Sequence, residues 1–201
     1  MAFKLSENFN KSSWFWIIAG PNGSGKSTWA TSEQCVEILG DIPILNPDHF
    51  SDPYTSEPLS LLAAGKRIFH KISQLTSERQ NFAVETTLSG TQYFRLADTL
   101  KQDNWGIGAV YIGVEGEDVC VSRVEERKLG GGHDVPLEDI VRRYERSLQH
   151  IPRLLEISDY MIIFDNSKNF MKLLESNKGE ILIEKNAPPW LESAIESQVV
   201  S

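Results

Sequence analysis

Five apolar runs, each five to eight residues long, punctuate the chain: Phe15–Ala19, Ile42–Asn46, Asn81–Glu85, Ile107–Val114 and Tyr160–Phe164. Runs of this length and apolarity read as buried strands. Between them the apolar spacing changes to a helical period. Within Glu57–Gln80, the positions Leu61, Gly65, Ile68, Ile72 and Leu75 fall on one helical stripe. Tyr93, Leu96, Ala97 and Leu100 mark a second amphipathic helix, and Glu117–Leu129 reads as a third helix. Leu137–Ile151 forms a fourth, with Ile140, Tyr144, Leu148 and Ile151 on one face. Strands alternating with helices predict an α/β domain around a mainly parallel, five-stranded central sheet. After the fifth run, Phe170–Leu174 and Glu180–Glu184 read as a hairpin turning at Asn177-Lys178-Gly179, and Pro188–Val200 reads as a peripheral helix. No repeat or linker interrupts the pattern. Residues 1–201 read as one domain, with a core over about 14–167 and the C-terminal hairpin and helix over 168–201.

The first strand runs straight into Gly20-Pro21-Asn22-Gly23-Ser24-Gly25-Lys26-Ser27-Thr28. This fits the phosphate-binding loop G-x-x-x-x-G-K-[ST], and a helix can open at Thr28. Its glycines let successive backbone N–H groups turn inward to form an anion site, to which the following helix adds its N-terminal partial charge. Lys26 reaches terminal phosphates and Ser27 offers a hydroxyl to Mg²⁺. The motif implies binding of ATP or a related nucleoside triphosphate.

Composition narrows the partners. With 40% apolar and 24% charged residues the chain is ordinary globular protein. A net charge of −8 argues against a sequence-independent nucleic-acid binder, yet leaves room for a local basic patch around a small phosphorylated ligand. Cys35 and Cys120 fit no zinc spacing and read as free thiols of a reducing compartment. Met1–Ser13 lacks a signal-peptide core, and Trp14–Ala19 is too short to cross a bilayer, so a cytoplasmic protein without membrane partners is expected.

Parallel α/β sheets bind ligands at the carboxyl ends of their strands. That rule gathers the glycine loop, Asp48, Glu85 and Asn166 on one rim. Asp48, in the loop Asn46–Phe50, is the candidate base for an acceptor hydroxyl. Glu85 closes its strand and suits a substrate hydroxyl or a metal-bound water, with Thr86 and Thr87 placed to hydrogen-bond the same ligand. Six of the nine arginines lie between residues 123 and 153. Arg123 and Arg127 are one helical turn apart. Arg142, Arg143 and Arg146 point away from the apolar face of their helix. Joined by Gly130, Gly131 and Gly132, these two helices form a candidate lid that brings guanidinium groups to phosphates. His133 has no second ligand at a metal-binding spacing. Trp14, Trp16, Trp29 and Trp105 read as core.

The ordered set Gly20–Thr28, Asn46-Pro47-Asp48, Glu85–Gly90, Gly131–Pro136, Arg142–Leu148 and Asp165-Asn166-Ser167 resembles the zeta-toxin family of P-loop kinases, in its compact chromosomal branch. The resemblance implies a nucleoside-kinase-like three-layer sandwich with the P-loop strand at its centre. It implies transfer of the ATP γ-phosphoryl to a sugar hydroxyl, as on UDP-N-acetylglucosamine, and an antitoxin-like protein partner. Residue by residue, it gives Lys26 and Ser27 the phosphates and Mg²⁺, Asp48 the role of base, and Glu85 a substrate contact. Arg127 and Arg143, then Arg146, take phosphates in the lid, and Asn166 lies near adenine. Two other classes compete. Leu88-Ser89-Gly90-Thr91-Gln92 approximates the signature of ABC-type ATPases, but the strand after it lacks their Asp-Glu ending. A guanine-nucleotide switch needs an Asn-Lys-x-Asp motif, which Asp165-Asn166-Ser167-Lys168 does not supply.

Overall fold

The computed structural model describes residues 11, 13–46, 61–131, 135–177, 180–183 and 187–196. Asp48, His133 and Gly132 lie outside the described residues. Strand β1 is Trp14–Ala19, β2 Ile44–Leu45, β3 Phe82–Thr86, β4 Gly106–Gly113, β5 Tyr160–Asp165, β6 Met171–Asn177 and β7 Glu180–Ile183. The helices are α1 Lys26–Ala30, α2 Glu33–Leu39, α3 Leu61–Ser77, α4 Gln92–Gln102, α5 Glu117–Leu129, α6 Leu137–Gln149, α7 Ile151–Ile157 and α8 Pro189–Glu196.

The strands join in the order β2-β3-β1-β4-β5-β6-β7. The first five are parallel, with β1 at their centre, and β6 and β7 are antiparallel. The expected five-stranded sheet is thus extended to seven strands. Strand β5 is buried along its whole length, so its outer edge has to be paired. The hairpin supplies that partner and drives Leu173 and Leu174 into the core. The C-terminal segment is therefore structural core, and the described part of its helix carries Trp190 and Leu191 into the same cluster.

Side chains alternate across β1. Phe15, Ile17 and Ala19 face a core closed by α3, α4, α7 and α8, whereas Trp14, Trp16 and Ile18 face one closed by α1 and α2. This gives three layers, helices on both faces of a sheet. Trp14 and Trp16 lie opposite Gly106 and Gly108 of β4. A Cβ at either glycine would come within 2.6 Å of the facing indole ring, so the two glycines are the space the tryptophans occupy.

Two helix boundaries differ from the sequence pattern. The Leu137–Ile151 helix ends at Gln149, and α7 starts after His150 because Pro152 cannot donate to a continuing helix. The helix after the glycine loop opens at Lys26 and breaks near Ser32, whose hydroxyl caps α2 by accepting from the Cys35 N–H at 3.2 Å.

Candidate active site

One cavity of about 660 Å³ opens at the carboxyl ends of β1, β2 and β3, a volume that suits a small-molecule ligand. Its phosphate end is the glycine loop. Asn22, Gly23, Gly25, Lys26, Ser27 and Thr28 line it. Gly20, Pro21 and Ser24 form its underside rather than its wall. Gly20 has φ +145°, and a Cβ there would sit 2.1 Å from the Ile112 carbonyl oxygen. Gly25 has φ +97° and caps α1. These backbone angles belong to glycine, so the cradle depends on glycine at both positions.

Lys26 is buried, and its ammonium donates to the Pro21 carbonyl at 2.8 Å, folding the side chain over its own loop. Ser27 Oγ donates to Glu85 Oε1 at 2.7 Å. Glu85 is itself buried at the end of β3, whose pairing with β1 sets Ile18 beside it. A serine hydroxyl and a carboxylate at this separation provide hard oxygen donors, the type Mg²⁺ takes together with phosphate and water. The loop and this pair therefore fit a nucleoside triphosphate and its metal.

Long-range contacts brace the loop from behind. Asn166 Nδ2 donates to the Ser24 carbonyl at 2.9 Å, and a Cβ on Gly25 would lie 2.5 Å from that nitrogen. Asn166 thus both lines the cavity and presses on the glycine loop. Arg123, on α5, donates to the Gly23 carbonyl at 3.4 Å and to the Ser167 carbonyl at 3.1 Å. The corner is tied to the C-terminal helix as well: Trp190 Nε1 and Ser167 Oγ both donate to Asp165 Oδ1, at 3.1 and 2.6 Å.

The lid helices α5 and α6 close over their own small core of Val114, Cys120, Val124, Val135, Ile140 and Tyr144. Arg123, Arg127 and Arg143 line the cavity. Arg143 also pairs with Asp139 Oδ2 at 3.3 Å, while Arg142 takes Oδ1 of the same carboxylate. Arg146 is exposed and forms no part of the wall. Three guanidinium groups and Lys26 facing Glu85 make the cavity cationic within an acidic chain.

The opposite wall is neutral and polar. Thr86 and Thr87 are both in it, joined by Asn46, Ser89, Gln92 and Tyr93. Thr86 Oγ1 accepts from the Leu88 N–H at 3.0 Å, and Thr87 shares a 3.0 Å hydrogen bond with Ser89. The sequence named Arg123 only as one of several lid arginines, and did not single out Asn46, Ser89, Gln92 or Tyr93 as site residues. Arg123 had a signal, one turn before Arg127. Gln92 and Tyr93 open the helix directly after the strand-end loop. The tryptophans Trp14, Trp16, Trp29 and Trp105 are buried, as expected. Both thiols are buried, which raises Cys35 to about 11 and Cys120 to about 12.

No protein-family profile matches the chain. An uncharacterized protein of Haemophilus influenzae is 29% identical over 129 residues, 63% of this chain and 88% of that protein. A chain from the AvrRxo1-ORF1:ORF2 complex crystallised with ATP superposes with a TM-score of 0.68 at 15% identity, covering 87% of this chain. The match takes in 61% of that longer chain, so this protein spans less than two thirds of its length. A chain of the PezAT chromosomal toxin–antitoxin system of Streptococcus pneumoniae gives 0.60 at 15% identity, over 95% of this chain and 79% of that one. With its parallel sheet, central glycine loop and arginine-bearing helical hairpin, the chain has the zeta-toxin-like P-loop kinase fold.

Proposed function

We propose that the protein is a phosphotransferase that moves the γ-phosphoryl of ATP to a hydroxyl of a small acceptor. The observation that carries this is the Ser27–Glu85 contact at 2.7 Å beside buried Lys26, in a cavity whose far wall is neutral and hydroxyl-rich. In this reading the glycine-loop N–H groups and Lys26 bind the β- and γ-phosphates. Bound Mg²⁺, held through Ser27 and Glu85, would neutralise charge on those phosphates. Arg127 and Arg143 meet the charge of the moving phosphoryl group from the lid side. Thr86 and Thr87 orient the acceptor, and Asp48 takes its proton. Asn166 holds the loop on the nucleotide side.

A nucleotide sugar such as UDP-N-acetylglucosamine is the first acceptor to try, on the resemblance set out above. An antitoxin-like partner is proposed on the same likeness, and a cytoplasmic location on the two free thiols; no described helix is long and apolar enough to cross a membrane. The segment Leu88–Gln92 leaves β3 directly and borders the same cavity through Ser89 and Gln92, so it reads as substrate wall rather than as an ATPase signature.

The test is a transfer screen. Protein, Mg²⁺ and ATP are incubated with pooled nucleotide sugars, free sugars and small alcohols, and mass spectrometry seeks an added phosphoryl group. The expected result is one phosphorylated product, lost with Glu85→Gln and reduced about 10²-fold or more by Asp48→Asn. ATP hydrolysis with no acceptor product across the pool would refute the transferase reading in favour of an ATPase.

A further inference from the structure

We infer that His150 is a positioning residue that holds the loop between β3 and α4 in its binding conformation and sets that loop in register with the helix bearing Arg143. What the loop binds rests on the phosphotransferase reading; the contact itself does not.

The loop between β3 and α4 carries an uncommon backbone. Leu88 has φ +56°, in the left-handed region that disfavours a residue with a Cβ. Arg79 and Asn104 share this feature, but each sits just past the end of a helix, where such a residue commonly terminates it. Leu88 ends no helix. It lies in the middle of the loop whose Thr86, Thr87 and Ser89 line the cavity. A strained residue persists only where its surroundings over-determine it, and such residues gather at functional sites.

Three contacts do this for Leu88. Its side chain is buried in the main core. Its N–H is taken by Thr86 Oγ1 at 3.0 Å. Its carbonyl lies 2.6 Å from His150 Nδ1. A carbonyl only accepts, so Nδ1 carries the proton, which fixes the ring tautomer. The ring is held edge-on to Phe94, with centroids 5.4 Å apart, so both the donor and its direction are set by packing. The bond joins residues 62 apart in sequence.

His150 also occupies a particular place on the lid. It is the C-cap of α6. Arg143 lies seven residues earlier, two helical turns, and so on the same face of α6. Between them, Tyr144 OH donates to the Val114 carbonyl and accepts from the Gly116 N–H, and Ser147 bonds Tyr111 OH. One rigid helix therefore presents an arginine to the phosphate side from its middle turn and clamps the acceptor loop at its C-terminal end.

Hydrogen exchange read by mass spectrometry tests this without knowing the acceptor. In His150→Ala, amides of the 87–91 loop should exchange about tenfold faster or more, while peptides from β1 and β4 keep their protection. His150→Asn, whose amide nitrogen stands one bond from Cγ as Nδ1 does, should restore the wild-type rate. Affinity for a fluorescent ATP analogue with Mg²⁺ should stay within about twofold in both variants. Unchanged loop exchange in His150→Ala overturns the inference. A uniform loss of protection across all peptides overturns it too, since His150 would then be ordinary core. If His150→Ala does not fold, ring-nitrogen NMR of the wild-type protein decides: an Nδ1–H tautomer supports the inference, and an Nε2–H tautomer removes it. Failure of wild-type protein to bind the ATP analogue would count against the phosphotransferase reading and leave the loop result standing.

Discussion

At the phosphate end of the cavity, nine consecutive residues from Gly20 to Thr28 make the cradle. At the neutral end, proposed above for the acceptor, Asn46, Thr86, Ser89 and Tyr93 arrive from separate segments after β2, at and after the end of β3, and on α4. The two ends also differ in charge. Lys26, Arg123, Arg127 and Arg143 gather on the glycine-loop and lid side, whereas the other wall is amides and hydroxyls with Glu85 at the boundary. The difference divides recognition in the proposed reaction. Charge and backbone N–H groups serve any triphosphate, while the neutral wall discriminates among acceptors by hydrogen-bond geometry, where an unpaired buried group carries a penalty.

The two ends separate most strongly inside the lid. Arg143→Ala should lower the transfer rate about 10- to 100-fold, the scale of a lost charge-assisted hydrogen bond, while Arg146→Ala stays within about twofold. Steady-state rates at saturating ATP separate the two. Equal losses would mean that the side of α6 facing the cavity has been misassigned.

A smaller effect is expected behind the glycine loop. Asn166→Ala removes the bond to the Ser24 carbonyl and should weaken ATP binding about fivefold, near 1 kcal/mol, with little change in the KM of the acceptor. An acceptor KM that moves as much as the ATP affinity would show that the two ends are not separable.

The smallest effect concerns stability. Burial raises both thiols from an ordinary value of 9.0, to about 11 for Cys35 and about 12 for Cys120. Below pH 9 both are neutral whether the chain is folded or not, and their contribution is intact. Above it the unfolded chain ionises first, so stability falls as pH rises from 9 through those higher values. Urea midpoints at pH 8 and pH 10 should differ less in a Cys35→Ala, Cys120→Ala double variant than in the wild type. The same pH slope in both would locate the effect in other groups.

What was legible in the sequence follows the same division. The glycine loop, β1 and Glu85 could be read because each lies in one contiguous stretch whose residue types state its chemistry. Helical spacing marked a set of lid arginines, and Arg127 and Arg143 were singled out within it only by the family resemblance. The bracing of the loop by Arg123 and Asn166 could not, because those bonds span 100 and 142 residues. Nor did the pattern show that the hairpin completes the sheet, since the need for it arises from the bare edge of β5. The break at His150 was available in Pro152, but the apolar stripe from Ile140 to Ile151 ran across it. Asp48 keeps its assignment from the sequence alone, lying outside the described residues.

The most direct measurement is a calorimetric titration of ATP into wild-type and Lys26→Ala protein, with and without Mg²⁺. The wild type should bind saturably and more weakly without Mg²⁺, and Lys26→Ala should bind at least about tenfold more weakly, as expected when a buried cation beside phosphate is removed. Absence of saturable binding by the wild-type protein, or equal affinity in the two proteins, would contradict it.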